Sequence, residues 1–343
     1  MIRLIEIVRK ILAIRWLQVG LGAVASVGLA YVAVNSLAWG EVADTFRHFP
    51  VDFAFLSTVP LLAAMVLRAL RWSILLPKGA VSFRHVFVTQ NAGIGLNNML
   101  PIRVGSEALQ LGLITRRYHV PLAPALASLV GGNVMDILAT GILMSIGVVL
   151  TPGLREGAIS IQLFGAVVML SVSLLVLLGV SRGMNSIPGA NRIHFFRRII
   201  DSLAELRDRP KRLALSFVAT FGHWILVGVS GWVLAVGLGI DIDPLTMATL
   251  LVAATFFTSA MFSLPGGAGT YHFAIVAMLT AMGVDGEIAF SFAVVMHLLV
   301  FVPPMAIALV VMSYAGSGAL LHKNTSSVVP KGEFGDEGST REV

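Results

Sequence analysis

Leu100-Pro101-Ile102-Arg103-Val104-Gly105-Ser106 and Leu264-Pro265-Gly266-Gly267-Ala268-Gly269-Thr270 share one pattern, Leu-Pro-x-x-small-Gly-Ser/Thr, and start 164 residues apart inside apolar sequence. Proline and glycine break helices. Backbone freed at membrane depth is tolerated only where protein buries it or where it lines a wet cavity. Two such breaks at corresponding positions are the sequence mark of a binding site in a transporter built from repeats.

The surrounding composition is that of a membrane protein. Of 343 residues, 57% are hydrophobic and 12% charged, and the mean hydropathy is +0.88. Several apolar runs exceed the roughly 18–20 residues needed to cross a bilayer. Candidate full spans are 16–38, 53–76, 122–150, 159–181, 213–238 and 287–315, and the segments 84–119 and 244–283 hold the breaks. The apolar stretch from Trp16 to Ala38 exceeds the about 7–15 residues of a signal-peptide core, which predicts an uncleaved first span. There is no cysteine, hence no disulfide and no thiolate ligand.

Lysine and arginine set the topology. With both broken segments re-entrant and the N-terminus cytoplasmic, the inside segments (1–15, 68–84, 116–121, 182–212 and the tail) hold 21 of 24 basic residues. The outside loops hold only Arg47 and Arg155 but eight of the 18 acids. If the first broken segment crossed instead, the eight basic residues of 182–212 would face outward. The expected fold class is therefore an all-α polytopic membrane protein with about six full spans and two broken re-entrant helical hairpins. Three full crossings per repeat (about 1–150 and about 159–315) give an inverted 3+3-type repeat, its hairpins entering from opposite faces. Residues 1–322 read as one integral domain. Within it, 182–212 reads as a basic interfacial segment against anionic inner-leaflet lipids, and 323–343 as a disordered tail. The pI of about 10.1 thus reflects topology rather than nucleic acid.

Charges within the hydrocarbon are costly and mark function. Arg103 sits in the first break, before a half-helix that opens at Gly105-Ser106. A helix N-terminus beside a guanidinium suits phosphate or carboxylate; the alternative is an internal pair with Glu107. Glu107 could also carry a proton or hold a lipid ammonium group. Asn97 and Asn98 either contact substrate or satisfy backbone freed at the break. Asp136, well inside a span, needs a cation, with Arg68 and Arg71 as candidates. At the second break Pro265, Gly266, Gly267 and Gly269 allow close approach, and Tyr271 and His272 open the next half-helix. His272 and His297 read as packing residues rather than proton relays. Soluble-enzyme, nucleotide and metal signatures are absent, so neither a cofactor nor an enzymatic activity is expected.

At these residues the chain resembles a known family, the lysylphosphatidylglycerol synthase transmembrane-region, or flippase-like, proteins (UPF0104). The resemblance rests on Leu67-Arg68-x-x-Arg71-Trp72, Asn97-x-x-Leu100-Pro101-x-Arg103-x-Gly105-x-Glu107, Asp136 and Leu264-Pro265-Gly266-Gly267-x-Gly269, in the family's order, over about 10–315. It implies a translocase for a phosphate-bearing lipid or a lipid-linked intermediate. These residues include no soluble aminoacyl-transferase domain, so synthase activity is not expected. The family often has an arginine near the position of Asn133, which is missing here. The expectation is an inner-membrane lipid flippase. The rivals are a secondary transporter of a small anion and a non-transporting subunit of a membrane glycosyl- or acyl-transferase. Neither the lipid nor the oligomeric state is legible.

Overall fold

The computed structural model describes residues 20–100, 106–151, 202, 205–206, 208–260 and 264–325, the side chains of Ala260 and of 315–325 excepted. Every regular element among them is helical. In order these are α1 (Gly20–Val34), α2 (Trp39–Arg47), α3 (Val51–Leu75), α4 (Phe83–Met99), α5 (Ser106–Arg117) and α6 (Leu122–Leu150). After the 152–201 gap come α7 (Pro210–Gly237), α8 (Pro244–Ala260), a single 3₁₀ turn at Pro265–Gly267, α9 (Thr270–Ala281) and α10 (Gly286–Thr325). The expected span 159–181, most of the basic segment and residues 326–343 lie outside the described residues.

Among the described residues, four helices are long and apolar enough to cross a membrane: α3, α6, α7 and α10 as far as Tyr314. The shortest has 25 residues, roughly 38 Å at 1.5 Å per residue, more than the about 30 Å hydrocarbon core. Their outward faces are apolar and bare, for example Phe55, Val59, Val149 and Leu309. That is a lipid-facing surface rather than a failed core. The α1–α2 pair, bent by 85°, makes a fifth span if counted as one. Residues 39–52, read above as loop, thus contain the short helix α2. Trp39 of α2 packs edge-on against Phe290, and the Ala38 amide donates to a Glu287 carboxylate oxygen at 2.9 Å.

Small residues set the interior spacing, as expected where lipid competes equally for apolar side chains. A Cβ on Gly228 of α7 would lie 2.2 Å from the Ala248 Cβ and 2.6 Å from its Cα. Gly147 of α6 meets Thr249, and Gly231 meets Leu251 and Met247. Buried Ser57 of α3 donates to the Ser230 carbonyl at 2.7 Å, tying α3 to α7. Asp243 starts α8: its carboxylate accepts from the Leu245 and Thr246 amides, both at 3.0 Å. Burial raises the Asp243 pKa, but these bonds and that of the Thr246 hydroxyl outweigh it and hold the carboxyl below its usual range.

Two sets of four helices match in order, and three of the four pairs match closely in length. α4 and α8 have 17 residues each, α5 and α9 have 12 each, and α3 and α7 have 25 and 28. α6 has 29, whereas α10 runs on to Thr325 with 40. The neighbours match too: α4 packs on α10 and α8 on α6, α5 on α6 and α9 on α10, while α3 packs on α7. Exchanging the two sets maps each substantial contact among these eight helices onto another. Within each set the broken segment doubles back. Gly93 of α4 lies against Ser106 and Gln110 of α5, and Phe257 of α8 meets Phe273 of α9.

The α7–α8 contact leaves no room for a side chain on Gly228. Gly228→Val should lower the melting temperature of the detergent-solubilised protein by the equivalent of about 1–3 kcal/mol, the usual cost of overpacking. Gly112→Ala, where a Cβ meets nothing within 4 Å, should leave it unchanged or slightly raised. Equal melts for both variants would contradict this packing.

Candidate functional site

The helical repeat puts Arg68 and Arg71, three residues apart, on one face of α3. Opposite them on α6, Gly132 presents no side chain, so a Cβ there would come within 3.9 Å of Arg71 Nε. One turn further, Asp136 forms an ion pair with Arg71. Arg71 is 6% exposed and Asp136 27% in their side chains, so the arginine is desolvated while the carboxylate still opens to the cleft. The indole N–H of Trp224, from α7, donates to the other Asp136 oxygen at 3.2 Å. His223 donates through Nδ1 to the Ala64 carbonyl at 2.8 Å, which fixes α7 against α3 behind the pair. On the near side, the Trp72 indole donates to Ser128 at 3.0 Å.

α4 and α5 close this arrangement into a polar cleft of about 140 Å³. Gln90 of α4, with Ser106, Glu107 and Gln110 of α5, faces the two arginines, Asn133 and Asp136. Its hydrogen bonding is incomplete. The Nε atoms of Arg68 and Arg71 and the amide oxygen of Gln90 are buried without a hydrogen-bond partner. Among the described residues only Arg71 of the two arginines has an ion-pair partner within 4 Å. Buried unmet donors are costly, and guanidinium forks match phosphate and carboxylate oxygens. The cleft therefore offers spare donors to an anion, with Glu107 exposed at its edge.

The second break is built differently. Gly266, Gly267 and Gly269 have φ of 67°, 73° and 83°, the left-handed region that favours glycine. The freed backbone is repaired by side chains. The Leu264 amide donates to Ser26 Oγ at 2.8 Å, His297 donates to the Gly266 carbonyl at 2.9 Å, and Thr270 donates to the Gly267 carbonyl at 2.9 Å. His272 accepts from the Gly269 amide at 3.4 Å. Buried Tyr271 stacks on His297, with ring centroids 5.3 Å apart. Pro265 begins the 3₁₀ turn.

The structure brings Arg68, Arg71, Ser106, Glu107 and Asp136 to one cleft. Asn97 and Asn98 do not line it. They end α4 beside the second break, the Asn98 carbonyl 3.6 Å from where a Gly266 Cβ would stand. Pro265, Gly266, Gly267, Gly269, Tyr271 and His272 also stay outside the cleft and form a cluster of their own. Arg103 and Gly105 lie outside the described residues. Sequence reasoning missed Gln90, Gln110, Trp224 and the part played by His223. The first three carry no charge, and the signal that could have found them is amide and indole groups recurring within the charged helices.

These features define a polytopic helical membrane protein with a polar, arginine-bearing cleft among its spans. The family described as the lysylphosphatidylglycerol synthase TM region matches residues 16–308, and the chain belongs to it. It is similar to a UPF0104 membrane protein of Methanothermobacter thermautotrophicus, 23% identical over 305 residues, covering 81% of this chain and 90% of that protein. A second UPF0104 membrane protein of that organism is 21% identical over 277 residues, covering 74% and 81%. The glycosyltransferase AglD of Haloferax volcanii is 26% identical over 285 residues, 70% of this chain but only 43% of that protein. No solved structure matches.

Removing one partner of a buried ion pair strands the other, at a cost of roughly 3–5 kcal/mol, whereas replacing both by apolar groups often costs little. Asp136→Leu alone should markedly lower the melting temperature, and Arg71→Met with Asp136→Leu should recover much of the loss. Additive losses in this double-mutant cycle would show the pair to be uncoupled.

Proposed function

We propose that this chain is a lipid translocase of a bacterial cytoplasmic membrane, not an enzyme. It moves the phosphate-bearing headgroup of an anionic or zwitterionic lipid, or of a lipid-linked intermediate, between leaflets. One observation carries this reading: two arginines face one cleft among apolar helices, and buried guanidinium nitrogens of both lack partners. Phosphate oxygens are the acceptors such donors fit. Arg103, three residues before Ser106 in the cleft wall, adds a third guanidinium in this reading. Asp136 and Glu107 keep the site from holding the anion too tightly. Family membership supports the same reading.

In this proposal residues 1–322 form a single membrane domain of two inverted repeats, about 1–150 and about 159–315, with both termini cytoplasmic. The mostly matched lengths and exchangeable contacts of α3–α6 and α7–α10 support a two-fold relation, and an odd number of crossings per repeat turns that relation upside down. Residues 182–212 lie against anionic lipids of the cytoplasmic leaflet, and 323–343 are a cytoplasmic tail. The likeness to part of a glycosyltransferase favours one alternative, an accessory role beside a sugar-transferring enzyme.

The transport reading is tested in vesicles with fluorescent phospholipid. Wild type should move lipid between leaflets. Arg68→Gln and Arg103→Ala should each slow transfer by about tenfold, the equivalent of one charge-assisted hydrogen bond. Unchanged rates in both variants at normal protein levels would overturn it, and an accessory subunit would show no transfer even as wild type.

The absence of cysteine makes topology directly measurable by single-cysteine labelling in intact cells. A cysteine at Asp44 or Asp285 should react with an impermeant reagent from outside. One at Lys78, Arg117 or Arg209 should react only after permeabilisation. The reverse pattern at 117 would place the first broken segment across the membrane and remove the inversion.

A further inference from the structure

A further cavity, of about 290 Å³, lies just past the C-terminal end of α3, beside Lys78. Its wall includes Lys78, Arg209 and Arg212 with the single acid Glu205, and Leu75 and Pro77 form part of its floor. Arg212 donates to the Leu76 carbonyl at 2.8 Å, which holds its guanidinium against the end of α3. Arg209 is paired with Glu205 at 2.5 Å, but both are well exposed, and such pairs within one helical turn are weak. Basic pockets between spans at the cytoplasmic side hold phosphate headgroups.

This cavity shares a wall with the arginine-bearing cleft. Leu75 lines the basic pocket, and its Cδ1 is 3.9 Å from where a Cβ of Gly132 would stand, while Gly132 itself lines the cleft. Arg71 Nε, a buried nitrogen with no hydrogen-bond partner, is also 3.9 Å from that same position. Gly131 is open to Leu75 in the same way, at 3.7 Å. Leu206 lines the basic pocket too and stands 3.6 Å from the Gly131 position, so Leu75 and Leu206 against two glycines separate the pockets, with Leu75 alone reaching Gly132. Arg71 lies in the last turns of α3, and Lys78 stands three residues past its end at Leu75.

We propose that the basic pocket is an outer station for a phosphate headgroup, and that Leu75 over Gly131–Gly132 is the gate through which the headgroup passes to Arg71 and Arg68. This deepens the translocase reading and rests on it for the passage step. The outer station stands on its own as a binding site. In this proposal the phosphate passes from Lys78 and Arg209 to Arg71 and Arg68, while the apolar gate keeps the two pockets from merging into a leak.

The outer station is tested first by binding. Native mass spectrometry counts phosphatidylglycerol bound to the detergent-solubilised protein, with phosphatidylcholine as the zwitterionic comparison. Lys78→Gln with Arg209→Gln, both at exposed positions, should weaken phosphatidylglycerol binding by about tenfold, on the order of what two basic residues contribute near a membrane surface. Binding equal to wild type overturns the outer station, whatever the transport result. Inorganic phosphate added to wild type separates the sources of the chemistry. Displacement of the lipid by millimolar phosphate would make the pocket a free-anion site and overturn the lipid assignment; retention supports it. The gate is tested in vesicles at matched protein levels. Leu75→Ala should speed lipid transfer, Leu75→Met should behave as wild type, and Leu75→Trp should keep lipid bound but slow its transfer. Leu75→Ala transferring at the wild-type rate overturns the gate. Absence of transfer in every protein, with binding lost in the double variant, would sink the translocase reading and leave the outer station in place.

Discussion

Backbone released by Pro265 in the second break must find partners where lipid offers none, and much of the fold is organised around that need. Each unmet N–H or C=O in hydrocarbon costs several kcal/mol. Two partners come from other helices, Ser26 on α1 and His297 on α10, and one is local, Thr270 at the start of α9. The left-handed glycines make room for them. A Cβ on Gly269 would stand 2.3 Å from the Ser26 carbonyl oxygen, and one on Gly267 would stand 2.4 Å from the Thr258 methyl. Once the break is repaired in this way, α1, α8, α9 and α10 have little freedom left.

The arginine-bearing cleft inherits its position from that repair. α4 approaches α10 at Gly95, where a Cβ would lie 2.0 Å from the Pro304 carbonyl oxygen. Its C-terminal end reaches the second break at Asn98. With α4 placed, α5 folds back along it through the Gly93 contact and presents Ser106, Glu107 and Gln110 to the arginines. α6 completes the cleft because Gly132 lets it approach Arg71 closely enough for Asp136 to pair with it. Asp136 takes a second bond from Trp224, so the carboxylate is held in place, while the arginine keeps unused donors.

How much was legible in the sequence follows from which signals are local. Apolar runs announced α3, α6, α7 and α10, because crossing hydrocarbon demands length and composition and little else. The Leu-Pro…Gly patterns marked the 3₁₀ turn at Pro265–Gly267, since three positive φ values in five residues all but require glycine. The bend into α2 was not legible, because Trp39–Arg47 mixes polar and apolar residues as an exposed loop would. The cleft was legible only through its charges. Gln90 and Gln110 lie 20 residues apart in sequence and meet because α4 and α5 double back, a tertiary fact with no local trace. His223 gave no local signal, because its partner, the Ala64 carbonyl, is on another helix. The second break was read as part of the same site, but it forms a separate cluster, since its carbonyls and amides are already satisfied by neighbouring side chains.

The two sets of four helices share their order and neighbours but not their chemistry, and one pair of positions shows how they diverge. Asn133 and His297 stand 164 residues apart, the same offset as the two breaks. Asn133 lines the arginine-bearing cleft, whereas His297 is spent on the Gly266 carbonyl. One set thus invests its polar groups in backbone repair and the other leaves them free for a ligand. A transport site benefits from that division. Passage requires binding strong enough to admit the cargo and weak enough to release it, and a second fully charged cleft facing the first would hold a phosphate between them. The pairing of Arg71 with Asp136 works in the same direction, neutralising part of the cationic charge before any anion arrives. The cleft is left with donors to spare but little net charge with which to trap what it binds.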